Sequence, residues 1–74
     1  MAQIVTPEML RLDPRTQRNA YLTSPDRLGL FRVAHRTDKD AIVENCFTLK
    51  RERISLRSII AAFEFLCQGE DILD

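Results

Sequence analysis

The apolar positions change their period along the chain. In the last third they fall at Leu56, Ile59, Ile60, Phe63, Leu66 and Cys67, a spacing that lines up one stripe of a helix. Ser55 stands where an N-cap belongs, with a hydroxyl able to accept from an early backbone N–H. Gly69 stands where a left-handed residue ends a helix. The pattern predicts a helix over 55–69 as the centre of the core. Earlier, over 30–36, Phe31 and Val33 alternate with Arg32 and Ala34, the period of a half-buried strand. Thr37, Asp38, Lys39 and Asp40 make a polar turn, and a second strand is expected from 41 to about 50. Ala41, Val43, Phe47 and Leu49 share one of its faces and Glu44, Cys46 and Thr48 the other, with Asn45 interrupting the apolar side. These two runs read as a β-hairpin, which needs a cover to be stable in water.

The first third is punctuated by Thr6-Pro7, Asp13-Pro14 and Ser24-Pro25. Each places a good N-cap residue before a proline suited to the first helical position. Short helical turns are expected over 7–12, 14–22 and 25–28. Apolar residues are sparse here (Ile4, Val5, Met9, Leu10, Leu12, Tyr21, Leu22), enough to dock an arm but not to build a core of its own. The expected fold is α+β: a β-hairpin packed on one main C-terminal α-helix (ββα), with a short-helical or irregular N-terminal arm. The arm takes residues 1–28 and the ββα core residues 29–74.

On the expected helix, Phe65 falls opposite the stripe centred on Ile59 and Phe63, beside Ser58 and Ala61. An aromatic there implies that the helix is covered on two sides. The charges point the same way. Lys50, Arg51, Arg53 and Arg57 gather at the helix start, and Glu64, Glu70, Asp71 and Asp74 at its end. The helix dipole favours the reverse, by about 0.3–1 kcal/mol per well-placed charge. Such charges make sense if they have partners elsewhere. Two copies packed antiparallel would match basic end to acidic end in a self-complementary interface; otherwise the basic end faces an anionic ligand, or the charges are simply solvated. The expected partner-binding residues are Arg51, Arg53, Arg57, Ser58, Ala61 and Phe65.

Size and charge narrow the function. A chain of 74 residues is one domain, near the size where a core only just offsets chain entropy. Eleven basic residues balance eleven acidic ones, which disfavours a strongly cationic nucleic-acid binder. Only Lys39 and Lys50 are lysine; the rest of the basic residues are arginine, the better residue for bidentate recognition of carboxylate or phosphate. Cys46 and Cys67 do not make a disulfide framework and read as reduced, small, mostly buried residues. His35 is the single histidine, and no Cys-x-x-Cys or His-x-x-x-His spacing is present, so no metal or other cofactor is expected. His35 and Cys46 fall on adjacent expected strands, but nothing supplies an oxyanion hole, and with Gly29 and Gly69 alone there is no phosphate loop. Enzyme activity is not expected. The first residues lack a basic region followed by a long apolar run, and no stretch is long enough to span a bilayer; the reading is a cytoplasmic protein without membrane contact.

The stretch Arg53-Ile54-Ser55-Leu56-Arg57-Ser58-Ile59-Ile60, followed by Gln68-Gly69-Glu70-Asp71-Ile72-Leu73-Asp74, resembles part of the VapB-type antitoxins, small bacterial DNA-binding proteins. The likeness covers about residues 52–74. In that family an Arg-Ile-x-Val/Leu-Arg-x-Ile stretch opens a helix-turn-helix and a Gly-Glu-x-Ile-like turn leads into its second helix. The Gly-Thr that usually precedes Arg-Ile is Arg51-Glu52 here. The resemblance implies Arg57 as a phosphate or base contact and residues 70–74 as the start of a recognition helix. The functional expectation is a small regulatory or accessory module acting on a larger protein partner, with a homodimer as a further possibility. The alternative is a dimeric DNA-binding regulator or antitoxin.

Overall fold

The computed structural model describes residues 6–69. Its frame is a five-stranded antiparallel sheet in the order β4-β3-β2-β1-β5. The strands are β1 (Ala20–Ser24), β2 (Arg27–Arg36), β3 (Asp40–Asn45), β4 (Arg51–Ser55) and β5 (Glu64–Gln68). Helix α1 (Pro7–Leu12) and a 3-10 turn (Pro14–Thr16) precede β1, and helix α2 (Leu56–Ala62) joins β4 to β5. Leu10, Leu56 and Ile59 from the helices meet Ala20, Leu22, Phe31, Val33, Ala41, Val43 and Phe63 in one buried cluster. The helices therefore cover one face of the sheet. β4 and β5 lie at opposite edges and point the same way, and α2 is the crossover between them.

The expected ββα unit is not what forms. Its hairpin is present as β2 and β3, closed by Thr37 N–H donating to the Asp40 carbonyl at 2.8 Å. The helix starts where expected: Ser55 Oγ accepts from Ser58 N–H at 3.2 Å. It ends at Ala62, and Phe63 is already extended, at φ −118° and ψ 150°. The reason lies in β1. Residues expected to be helical within 14–22 instead form a strand, whose outer backbone groups require partners. Residues 64–68 supply them, in the register Leu22↔Phe65 and Tyr21↔Cys67. The apolar stripe is real only as far as Phe63; Leu66 is 56% exposed and Cys67 is also exposed, so neither joins the core.

The second expected strand is also shortened. Asn45 Oδ1 accepts from the N–H groups of Phe47 at 2.9 Å and Thr48 at 3.1 Å, closing a turn. Leu49 adopts a left-handed φ of 63°, and its N–H donates to the Asn45 carbonyl at 2.7 Å. The chain reverses there, and residues 51–55, read as the basic approach to a helix, become the edge strand β4, paired with β3 through Glu44↔Arg51 and Ile42↔Arg53.

In the N-terminal third the turn over 7–12 forms, capped by Thr6 with Pro7 behind it. The second shrinks to the 3-10 turn capped by Asp13. The third is replaced by a tight turn at Pro25 and Asp26 between β1 and β2. These residues are fastened to the sheet rather than loosely docked. Thr16 Oγ1 donates to the Leu10 carbonyl at 2.6 Å. Gln17 and Arg36 each donate to the Arg11 carbonyl, both at 2.6 Å, satisfying acceptors that the end of α1 leaves open. Arg36 reaches the helical face because a bulge near Ala34 shifts the register from Val33↔Val43 to Arg36↔Ala41.

Candidate binding surface

The residues expected to bind a partner do not form one patch. Arg57, Ser58 and Ala61 are exposed on α2, and spacings of three and four residues put them on one side of it. Arg51 and Arg53 lie on β4, and Phe65 lies on β5. Those strands are at opposite edges, four inter-strand spacings apart, or about 19 Å. Phe65 is 43% exposed, as a contact residue would be, but on an edge strand rather than the back of a helix. The acidic residues Glu70, Asp71 and Asp74 and the expected recognition helix lie outside the described residues.

A groove of about 460 Å³ opens at the end of the sheet where β2 and β4 begin and β3 ends. No residue of either helix lines it. The cause is length: at about 1.5 Å per helical residue and 3.3 Å per strand residue, the seven-residue α2 is much shorter than the ten-residue β2. Phe31 and Val43 form the floor, and Leu28, Arg27, Lys50, Arg51 and Glu52 stand around it. Phe31 meets Phe63 edge-to-face at a centroid distance of 5.3 Å, which holds the floor to the core. Arg27 lies 5.7 Å from the centre of the Phe63 ring and pairs with Glu52 at 2.7 Å.

The rim is unusually apolar for a loop end. Leu28 is 97% exposed. Phe47 and Leu49, which flank the groove residue Thr48, are 76% and 68% exposed. A left-handed conformation costs a residue with a Cβ roughly 1–2 kcal/mol, so Leu49 is kept at an unfavourable φ while burying little. Strain of this kind gathers at functional sites. Of these residues, the sequence pattern singled out Lys50 and Arg51 as part of a basic run. Leu28 was hidden in an expected helical turn, and Phe47 and Leu49 in an expected buried strand face. The available signal was Asn45, a turn-forming residue in the middle of an apolar alternation.

Among the described residues, no helix lies over the opposite face of the sheet. One row crosses all five strands there: Cys67, Tyr21, Arg32, Glu44 and Arg51. Glu44 takes Arg32 at 3.0 Å and Arg51 at 3.4 Å, and Arg32 also donates to Asn19 Oδ1 at 2.7 Å. The hydrogen bond from Arg32, reinforced by Arg51, holds the Glu44 carboxyl below its ordinary range against a smaller opposing effect of burial. Burial pushes the Cys46 thiol up, with Arg32 opposing and Glu44 assisting; a raised thiol is a poor nucleophile at neutral pH. Cys46 N–H bonds the Leu30 carbonyl, whereas His35 pairs with Ile42. At about 3.3 Å per strand residue, that places the cysteine and the histidine roughly 13 Å apart along the sheet. They are not brought together.

A second concavity, about 440 Å³, is lined by Gln17, Arg18, Ala34, His35 and Arg36. Its Arg36 is already committed to the Arg11 carbonyl. Among the described residues no group of three or more His, Cys, Asp or Glu side chains converges on a point, and no helix is long and apolar enough to cross a membrane. No protein-family model, curated protein or solved structure matches this chain.

Proposed function

We propose that this protein is a small non-enzymatic interaction module whose groove at the open end of the sheet takes a short aliphatic and acidic segment of a partner protein. The observation that carries this reading is the nearly complete exposure of Leu28 beside a floor of Phe31 and Val43. Exposed apolar groups around a concave apolar floor are the usual features of a protein contact. Lys50, exposed beside the same groove, adds a preference for carboxylates. Protein is favoured over nucleic acid because the net charge is zero and Arg32 and Arg51 are both engaged by Glu44.

Selection of the intact chain against a random heptapeptide library tests this. Leu and Ile next to Asp or Glu are expected to be enriched, and Leu28→Asp is expected to abolish the enrichment while leaving the circular dichroism spectrum unchanged. Enrichment that survives Leu28→Asp, or none at all, would remove the groove as the site. A complex with double-stranded DNA that weakens steeply with salt would instead identify the regulator reading.

A further inference from the structure

We infer that the groove of one copy is occupied by residues 70–74 of a second copy, giving a reciprocal two-fold dimer. The inference rests on the groove reading above and names its occupant. The segment is Glu70-Asp71-Ile72-Leu73-Asp74, two large aliphatic residues bracketed by carboxylates. The groove has an apolar floor of Phe31 and Val43, with Lys50 and the Arg27–Glu52 pair around it. Ile72 or Leu73 would sit on the floor and a carboxylate would meet Lys50. Lys50 is exposed, and no ion pair engages its ammonium group among the described residues, so it can take a carboxylate without giving up a partner.

Reach decides for a second copy. Gly69 is anchored by its N–H to the Asn19 carbonyl at 2.8 Å, at the end of β5 remote from the groove. From that row Phe31 lies three residues along the sheet and two strands across from β5, and Val43 one residue along and three strands across, each about 14–15 Å away. Leu73 is four residues past Gly69 and extends at most about 14 Å from it. A straight path to the floor would use the whole of that reach, and α2 with the 3-10 turn stands on the face it would have to cross, so any path around them is longer than the segment. The segment therefore cannot fill its own groove, but two copies can fill each other's. Exchange of identical segments is isologous and closes at two subunits.

The test uses full-length chains in sedimentation equilibrium, together with a fluorescein-labelled peptide of residues 68–74. The intact chain is expected to be a dimer, and Leu73→Asp and Lys50→Glu are each expected to be monomeric with unchanged circular dichroism. The labelled peptide should bind the Leu73→Asp chain, whose groove is intact, and binding should weaken at least tenfold when Lys50→Glu is added. A monomeric intact chain, or a dimer that persists in both variants, overturns the inference. If library-selected peptides bind the groove but the 68–74 peptide does not, the self-docking fails and the groove reading stands. If neither binds, both fail.

Discussion

Arg15 Nη1 donates to the carbonyl oxygen of Ile60 at 2.9 Å, joining residues 45 apart in the chain. Ile60 lies in the last turn of α2, where carbonyl groups have no partner within the helix and a cation is favoured by the dipole. Asp13 grips the same guanidinium through Nε at 2.8 Å and Nη2 at 2.7 Å while capping the 3-10 turn. One arginine thus fastens the turn before β1 to the crossover helix. Arg15→Ala should destabilise the protein by about 1–2 kcal/mol, the lower part of the range for charge-assisted hydrogen bonds, because the side chain is 31% exposed. Arg15→Lys should recover only part of this, since an ammonium lacks the planar fork that holds Asp13 and Ile60 together. Urea midpoints of the three proteins check it; equal midpoints would show that the contact contributes nothing.

Two carboxylates make stability depend on acid. The hydrogen bond from Arg15 holds Asp13 below its ordinary 3.8 despite burial, and that from Arg32 holds Glu44 below its ordinary 4.5. For both, the folded value lies below the unfolded one, so in the acid range the unfolded chain binds more protons. Their contribution is complete above the ordinary values and is lost as the pH falls through the depressed folded ones. Urea midpoints measured from pH 7 to pH 3 should stay level and then drop below about pH 4.5. Asp13→Asn should lower the midpoint at pH 7 and shrink the acid drop, and an acid drop of undiminished size in that variant would exclude Asp13 as a source.

Phe63 and Phe65 are two residues apart and should respond differently. Phe63 is 3% exposed and Phe65 is 43% exposed. Phe63→Ala should cost about 3–5 kcal/mol, enough to unfold much of a chain this small. Phe65→Ser should leave the thermal midpoint within a few degrees of the parent. A Phe65→Ser chain as unstable as Phe63→Ala would place Phe65 in the intramolecular core.

Gly69 is needed for space rather than for a left-handed turn. A Cβ on it would lie 2.6 Å from the Tyr21 ring and 2.8 Å from the Asn19 carbonyl oxygen. The ring can rotate away, but the carbonyl is backbone, held by its bond from the Gly69 N–H. Gly69→Ala should cost about 1–3 kcal/mol, the range for overpacking, and should speed hydrogen exchange along β5 more than along β3. Uniform exchange rates would argue against a local clash.

Local chemistry in the sequence determined where α1 and α2 begin, through Thr6-Pro7 and Ser55, and where the β2–β3 hairpin turns, through residues 37–40. It also marked Phe31, Val33, Ala41, Val43, Leu56, Ile59 and Phe63 as core, because alternation and helical spacing are written in adjacent residues. Of the candidate groove it revealed the cations Lys50 and Arg51 but neither the floor as a concavity nor Leu28 as its rim. Only the tertiary structure decided that residues 20–24, 51–55 and 64–68 are strands. Their own sequences suit helix starts and amphipathic helix as well as strand, and the choice depends on hydrogen bonds to segments far away in the chain. Once β1 became a strand its outer edge required a partner, so α2 stopped at Ala62 and the chain crossed to fill that edge. The helix left over was too short to cover the sheet, and the uncovered end is the groove.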